Sequence, residues 1–375
     1  MENNGRLIPL FYPFIADSAY ESLKDVLNSK WIGQGPLVDD FENSFAKLFL
    51  RSHFPLAVGS GTDALHLAYL LAGIKPGDEV LTPVFTCTAT NIPLLYIGAK
   101  PVFIDIARDT MNISVKDLER KITKNTKAIV VVHFGGLPCD MTEINEIASE
   151  LGIPVIEDAA HALGATYKNN MIGSISDFTI FSFQAIKHIT TGDGGLLSIK
   201  DSEKHSIGKR LRWFGIDRAS KLKSIWENDI NEIGFKYQMT DLNASLGLSA
   251  LNHFDYIQKH RFKLFSLYLE NLSGVSGIKI VGTPPSDRTH AAWIFTICVK
   301  NRLQIQEFLK SNGVETSQVH YRNDKYTIFS DFKSEVPNMD LIENDYLVLP
   351  MHHKVTVDDV NYISELLISA VKKYE

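Results

Sequence analysis

The sequence predicts an α/β fold: a mostly parallel seven-stranded sheet sandwiched by helices, with a smaller C-terminal α+β domain. Three observations predict it. Apolar runs at 55–58, 80–85, 101–106, 128–133, 154–157, 178–183 and 196–199 read apolar throughout, as strands buried on both faces do. Helix-period stretches at 63–72, 89–97, 114–122 and 142–151 separate most of these runs, and strands joined by helical crossovers run parallel. After Gly274 the pattern changes to a strand-like run at 290–299, a helix at 303–311 and a final helix at 357–372.

Ahead of the sheet comes an extended arm up to Pro13, then a short helix at 18–29 with Tyr20, Leu23, Val26 and Leu27 as its apolar positions. The turn Trp31-Ile32-Gly33-Gln34-Gly35-Pro36 leads into a helix through Phe41, Phe45, Leu48 and Phe49. The runs at 178–183 and 196–199 flank a short glycine-rich turn, so one edge of the sheet is expected to be antiparallel. One long helix is expected from Thr240-Asp241 through Leu269. The domain boundary is placed inside it, giving a large domain at 1–250 and a small one at 251–375. The stretch 319–350 is rich in turn residues and shows no regular period.

A chain of 375 residues with 45% apolar and 22% charged side chains has the composition of a globular protein with a large core. Its net charge of −6 and the lack of a Lys/Arg stripe argue against nucleic-acid binding; the locally basic stretch 200–223 is read as a solvated face. Cys87, Cys139 and Cys298 are too scattered for a zinc site or a disulfide framework, which fits a reducing cytoplasm. Met1-Glu2-Asn3-Asn4-Gly5-Arg6 lacks the pattern of a signal peptide, and no apolar run is long enough to span a membrane. No metal is expected.

The chemistry starts at Lys187, in Ser182-Phe183-Gln184-Ala185-Ile186-Lys187-His188, just before Thr190-Thr191-Gly192-Asp193-Gly194-Gly195. Most lysines are solvated charges. One held between a buried strand and a glycine-rich turn is a candidate for a lowered pKa and amine nucleophilicity. Gly59-Ser60-Gly61-Thr62-Asp63-Ala64-Leu65 follows a strand and opens a helix, so Gly61 and Thr62 offer amides and a hydroxyl to a phosphate; the same turn also reads as a plain helix cap. It is neither a P-loop nor a dinucleotide fingerprint. Ile156-Glu157-Asp158-Ala159-Ala160-His161 puts Asp158 at the carboxyl end of a strand, where ligands of open α/β sheets bind. A protonated pyridine would be a good partner for that carboxylate; a helix-capping role is the alternative. His161 is a cofactor support or a satisfied core histidine, Ser182 a second phosphate ligand or a strand-end hydroxyl, and Asp193 a turn-former. A phosphate loop, a strand-end Asp and a later Lys are the parts of a pyridoxal 5'-phosphate (PLP) site.

These residues also resemble a known family. Trp31-Ile32-Gly33-Gln34-Gly35-Pro36, Gly59 through Leu65, Pro76-Gly77-Asp78-Glu79-Val80, Gly98-Ala99-Lys100-Pro101-Val102-Phe103-Ile104-Asp105, Glu157 through His161, Phe181-Ser182-Phe183 through Lys187, Gly192-Asp193-Gly194-Gly195, Gly234-Phe235-Lys236-Tyr237-Gln238-Met239-Thr240-Asp241 and Leu349-Pro350-Met351-His352 run in the order of the DegT/DnrJ/EryC1/StrS sugar aminotransferases. That family has the aspartate aminotransferase fold, PLP fold type I.

The resemblance implies that Lys187 forms the Schiff base and then shuttles protons, and that Asp158 pairs with the pyridine nitrogen. Gly61, Thr62 and Ser182 would hold the phosphate, and His161 would donate a hydrogen bond near the phenolic oxygen. In the family a segment equivalent to 234–240 reaches the partner subunit's phosphate. Lys236 or Gln238 would do so here, in a homodimer with shared active sites. The usual stacking aromatic falls on Cys87 in Pro83-Val84-Phe85-Thr86-Cys87-Thr88: either Cys87 covers the ring or Phe85 reaches over it, and Cys87 is taken to hold the place. Trp31, His320, Arg322 and His352, with His353 beside it, would border a sugar-nucleotide channel. Arg322 would serve there as a bidentate anion partner or be a structural arginine, and Arg212 and Arg218 are further candidates.

The implied activity is a transamination. An amino group passes from L-glutamate to a keto group of a nucleotide-linked, 4-keto-6-deoxy type hexose, for amino-sugar and surface-polysaccharide (lipopolysaccharide, O-antigen) biosynthesis. Three rivals remain. A sugar dehydratase of the same fold would carry His in place of the lysine, whereas here Lys187 is present with His188 next to it. A PLP-binding sensor would usually bring a DNA-binding module, and none is visible. An amino-acid aminotransferase would need a C-terminal arginine clamp, and none is identified.

Overall fold

The computed structural model describes residues 7–218, 220 and 229–374; residues 1–6 and part of the basic stretch 200–223 therefore lie outside the described residues. The main sheet is built from β1 (Phe54–Val58), β2 (Glu79–Pro83), β3 (Lys100–Ile104), β4 (Thr126–Val132), β5 (Val155–Asp158), β8 (Phe178–Ser182) and β9 (Gly195–Ile199). Its order is β1-β9-β8-β5-β4-β2-β3. β6 (Thr166–Tyr167) and β7 (Asn170–Met171) form a small hairpin between β5 and β8.

Consecutive residues of the central strands enter different cores. Leu81, Ile129 and Val131 pack on one side with Phe41, Phe45 and Ile144, while Val80, Ala128 and Val130 pack on the other with Leu65, Ala68 and Tyr69. The period-2 pleat with both faces covered is why these strands read apolar throughout. Helices Gly61–Leu71, Thr88–Ile97, Val115–Lys121 and Met141–Leu151 make the crossovers. Ser60 starts the first, its Oγ accepting from the Asp63 amide at 3.0 Å.

The antiparallel strand is not at an edge. β9 pairs antiparallel with both β8 and β1, and β1 takes the edge position. All five residues of β9 are buried, which an edge strand with one unpaired ladder would not sustain. The expected single long helix is two, Asp241–Leu251 and Phe254–Leu272. The break at Asn252-His253 turns Phe254 into the core, edge-on to Phe49 at 5.0 Å and against Gly164.

Beyond it, β10 (Lys279–Val281), β12 (Phe295–Cys298) and β13 (Tyr346–Leu349) form an antiparallel sheet of order β10-β12-β13. Residues of β12 and β13 share a core with the helices Phe254–Leu272, Arg302–Ser311 and Val357–Tyr374. β11 (Arg288–Thr289) instead joins the β6–β7 hairpin. The strand expected over 290–299 is confined to β12. Residues 290–293 form a buried turn in which Ala292 takes a φ of +54°, with the amides of Ala291 and Trp293 bonded to the carbonyls of Gly136 and Gly135. The stretch 319–350 holds two short 3-10 turns, the helix Pro337–Ile342 and β13.

The N-terminal arm runs across this C-terminal region. Ile8 bridges Val314, the Leu10 amide donates to Glu315 Oε2 at 3.2 Å, and the Pro9 carbonyl lies 2.9 Å from His352 Nε2. Among the described residues no helix is long and apolar enough to cross a membrane.

Candidate active site

A cavity of about 610 Å³ opens at the carboxyl ends of β4, β5 and β8, between the arm at Leu10 and Phe11 and the segment 317–320. Gly61, Thr62, Cys87, Asp158, His161, Ser182, Lys187 and His320 all line it, as the switch-point rule for open α/β sheets expects.

At one end lies the start of the helix Gly61–Leu71. The first-turn amides of Gly61 and Thr62 have no intrahelical acceptor and sit at the positive end of the helix. The end of β8 comes close: a Cβ added to Gly61 would stand 3.1 Å from Ser182 Cβ and 3.4 Å from its Oγ. A Cβ at Gly195 would stand 2.4 Å from the Ser60 carbonyl oxygen. Only glycine lets these backbones approach so closely, and the result is a concave set of amide and hydroxyl donors.

At the base, Asp158 is buried. Its Oδ2 accepts from Thr90 Oγ1 at 2.7 Å and its Oδ1 from the Ala160 amide at 3.1 Å. Burial pushes its pKa up, against the two hydrogen bonds and the charge of Lys187, which pull it down. A carboxylate in this state gains from a cationic hydrogen-bond donor. Its neighbour Glu157 points to the other side of β5, where it takes His133 Nε2 at 2.9 Å and the Ser176 amide at 3.0 Å.

Lys187 closes a turn in which its amide bonds the Gln184 carbonyl at 2.9 Å. Its Nζ lies 4.0 Å from the ring centroid of Trp293. Burial lowers its pKa to about 8, opposed by Asp158 and, less, by Cys87. At pH 7.5 about a quarter of such an amine is neutral, against roughly 0.1% at an ordinary lysine pKa. His188 turns the other way: its Nε2 meets the Ala291 carbonyl at 2.8 Å, and burial holds its pKa well below the usual histidine value.

His161 stacks on Trp293, with centroids 3.7 Å apart and planes at 17°, and lies nearly parallel to His320 at 5.2 Å. Burial keeps both imidazoles neutral, with the pKa of His320 lowered to about 3. His161 Nδ1 and His320 Nε2 are buried atoms without a hydrogen-bond partner among the described residues. Two cavity-lining imidazoles thus have a free hydrogen-bonding position each.

Several expected residues are elsewhere. Arg322 is buried and does not line this cavity. Its guanidinium is committed to Asp324 at 2.7 and 2.8 Å, to Glu343 at 3.0 Å and to Asp340. Those carboxylates consume the fork that an anionic substrate would need. His352 has its Nε2 at the Pro9 carbonyl, and its Nδ1 accepts the Lys354 amide at 3.2 Å. Arg212 is tied to Glu42 at 2.6 Å and Arg218 to Gln34 at 3.0 Å. Trp31 is half-exposed, with its Nε1 on the Gln34 carbonyl at 3.1 Å. Lys236 lies over the Phe214 ring at 5.2 Å, and Gln238 bridges Val58. None of these three lines the cavity of its own chain. Phe85 is buried in the core, edge-on to Phe134 and Tyr346, whereas Cys87 faces the cavity as the cap residue of the helix Thr88–Ile97.

Two residues were missed in the sequence. Trp293 is hidden inside an apolar run that reads as strand. Thr90 sits in a helix with no polar period; Thr86-Cys87-Thr88-Ala89-Thr90, three threonines at the end of a buried strand, is the signal that could have found it.

The side chains fit a phosphorylated pyridine aldehyde. The Gly61–Ser182 cradle suits the phosphate, Asp158 a protonated ring nitrogen, the unpartnered His161 Nδ1 a ring oxygen and the Lys187 amine the aldehyde. Comparison with known proteins agrees. Residues 13–368 match the DegT/DnrJ/EryC1/StrS aminotransferase family. The spore coat polysaccharide biosynthesis protein SpsC of Bacillus subtilis is 34% identical over 99% of both chains. AtS13 from Actinomadura melliaura superposes with a TM-score of 0.92 at 32% identity, covering 99% of this chain and 100% of that one. Spr1654 from Streptococcus pneumoniae, whose structures include PLP and PMP forms, matches at 28% identity over 98% of this chain and 99% of that one, with TM-scores of 0.91 and 0.92. The chain belongs to the DegT/DnrJ/EryC1/StrS family of PLP-dependent sugar aminotransferases.

Proposed function

We propose that the protein transfers an amino group from L-glutamate to a keto carbon of a nucleotide-linked hexose of the 4-keto-6-deoxy type, in the cytoplasm. The product would be an amino sugar for a surface polysaccharide, a setting supported by the name of the Bacillus subtilis relative. The observation that carries the reading is an amine with a pKa near 8 between a phosphate cradle and a buried carboxylate.

PLP, when bound, supplies the electron sink at the substrate carbon and carries the amino group between half-reactions. Gly61, Thr62 and Ser182 would hold its phosphate, Asp158 its ring nitrogen and His161 its phenolic oxygen, and Cys87 would take the place of a ring-covering residue. Lys187 Nζ would hold and move the proton at the carbon that bears the amine, first for the donor and then, in the reverse sense, for the keto sugar. His320 faces the sugar. Lys236 or Gln238 and Trp31, outside their own chain's cavity, serve the site of a second copy in a homodimer. The division into domains at residue 250 belongs to the same reading and is supported by the helix break at Asn252-His253.

The dehydratase alternative needs an imidazole at the lysine position. It is disfavoured because His188 bonds the Ala291 carbonyl. The test is the visible spectrum of the full-length protein with PLP, before and after L-glutamate. A lysine-dependent band that glutamate bleaches, followed by amination of a keto-sugar nucleotide seen by mass spectrometry, supports the reading. A band that ignores glutamate points to another donor or to a sensor.

A further inference from the structure

Lys187 Nζ makes no hydrogen bond among the described residues, although Asp158 is nearby; the carboxylate is taken up by Thr90 and Ala160. What Nζ does touch is the indole of Trp293 at 4.0 Å. That ring is fixed on several sides. Its Nε1 donates to the carbonyl of Ile186, the residue before the lysine, at 3.1 Å. His161 stacks on it at 3.7 Å and Phe11 at 5.6 Å. The turn that carries it is clamped by Arg261, whose Nη1 reaches the carbonyls of Ala292, Trp293 and Met351 at 3.3, 2.9 and 2.8 Å. Arg261 is buried and has no carboxylate partner among the described residues. A charge buried for carbonyls alone is costly, which marks the position of this turn as a constraint rather than an accident of packing.

In the proposed reaction the amine of Lys187 would be freed in each turnover and would have to stay beside the reacting carbon. We propose that Trp293 is a positioning residue that docks the free Lys187 ammonium on its π face and so keeps it in the cavity between proton transfers. A cation over an indole face within about 6 Å is attracted by the ring quadrupole, most strongly when desolvated. The other titratable groups acting on Nζ are Asp158 from β5, Cys87 from the helix start, His161 after β5, His320 from the 317–320 segment and His188 next in the chain, and Asp193 of the glycine loop lines the same cavity. The three histidines are neutral near pH 7, so Trp293 adds an attraction that they do not.

This inference rests on Lys187 being the residue that bonds PLP. The experiment is the rate at which the cofactor-free full-length chain captures PLP, followed by the lysine-dependent visible band against pH. Only neutral amine attacks, so the rate rises with pH to a midpoint near the lysine pKa of about 8. Trp293→Leu removes the π face and should lower the midpoint by roughly 0.4 to 1.5 units, making capture about two- to sixteenfold faster at pH 6.5. Trp293→Phe loses the same bond to Ile186 but keeps a π face, and should stay nearer the native midpoint. If both variants shift equally, or neither shifts, the docking role is wrong. Should Trp293→Leu fail to fold, fluorinated tryptophans of unchanged shape replace it: a midpoint that falls with each ring fluorine supports docking, and one that does not move refutes it. If Lys187→Ala still develops the band, the assignment of the lysine fails instead.

Discussion

Asp158→Asn separates what the carboxylate does for chemistry from what it does for the fold. The substitution keeps the shape and removes the charge. Thr90 can adapt, because its hydroxyl also lies 2.8 Å from Thr86 Oγ1 and can turn to accept from the new amide. What is lost is one charge-assisted bond to a protonated ring nitrogen, worth about 1.5–3 kcal/mol. At about 1.36 kcal/mol per decade, the glutamate half-reaction should slow by roughly 10- to 150-fold. Stability of the cofactor-free protein should move the other way. Burial raises the pKa of Asp158 above its unfolded value, so its ionised form costs the fold free energy that the protonated form does not. The native chain should therefore lose stability relative to Asp158→Asn as pH rises through the raised pKa, from acid towards neutrality. Single-turnover bleaching of the visible band measures the first effect, and thermal melts of cofactor-free protein from pH 4 to 8 the second. A variant with native turnover, or one less stable than native at pH 7, would refute the assignment.

Lys187→Ala should still bind PLP through the phosphate cradle, show no covalent band, and lose at least about 10³-fold in turnover; equilibrium dialysis and the spectrum check this. Gly61→Ala should press a methyl against Ser182, 3.1 Å away, and weaken PLP binding by roughly five- to 150-fold if the cost is about 1–3 kcal/mol, read by fluorescence titration. Arg322→Ala should cost about 3–5 kcal/mol of stability by leaving Asp324 buried and unpaired, with KM for the sugar nucleotide unchanged in the folded fraction; urea melts and steady-state kinetics separate the two.

The parts of the site that sequence made visible are those with local signatures. Asp158 stands at the end of an apolar run, Lys187 between a strand and a glycine-rich turn, and Gly61-Thr62 at the start of a helix; each pattern is complete within about ten residues. What stayed hidden depends on contacts across hundreds of positions. Trp293 looks like a strand residue until Gly135 and Gly136 bend its segment into a turn. Arg322 looks like an anion receptor until Asp324, Asp340 and Glu343 surround it. The interior position of β9 depends on β1, a strand from the far end of the domain, coming to lie against it.

The N-terminal arm has a consequence for how the enzyme is made. Leu10 and Phe11 form part of the cavity wall, yet Leu10 is held by Glu315, 305 positions later in the chain. At roughly 5–20 residues per second of synthesis, the arm waits about 15–60 s for its anchor. During that time two apolar side chains that end up in the cavity wall have nowhere to dock, and a nascent chain that already carries Lys187 still has an incomplete pocket. The wall at Leu10 and Phe11 is thus completed only once Glu315 has been made.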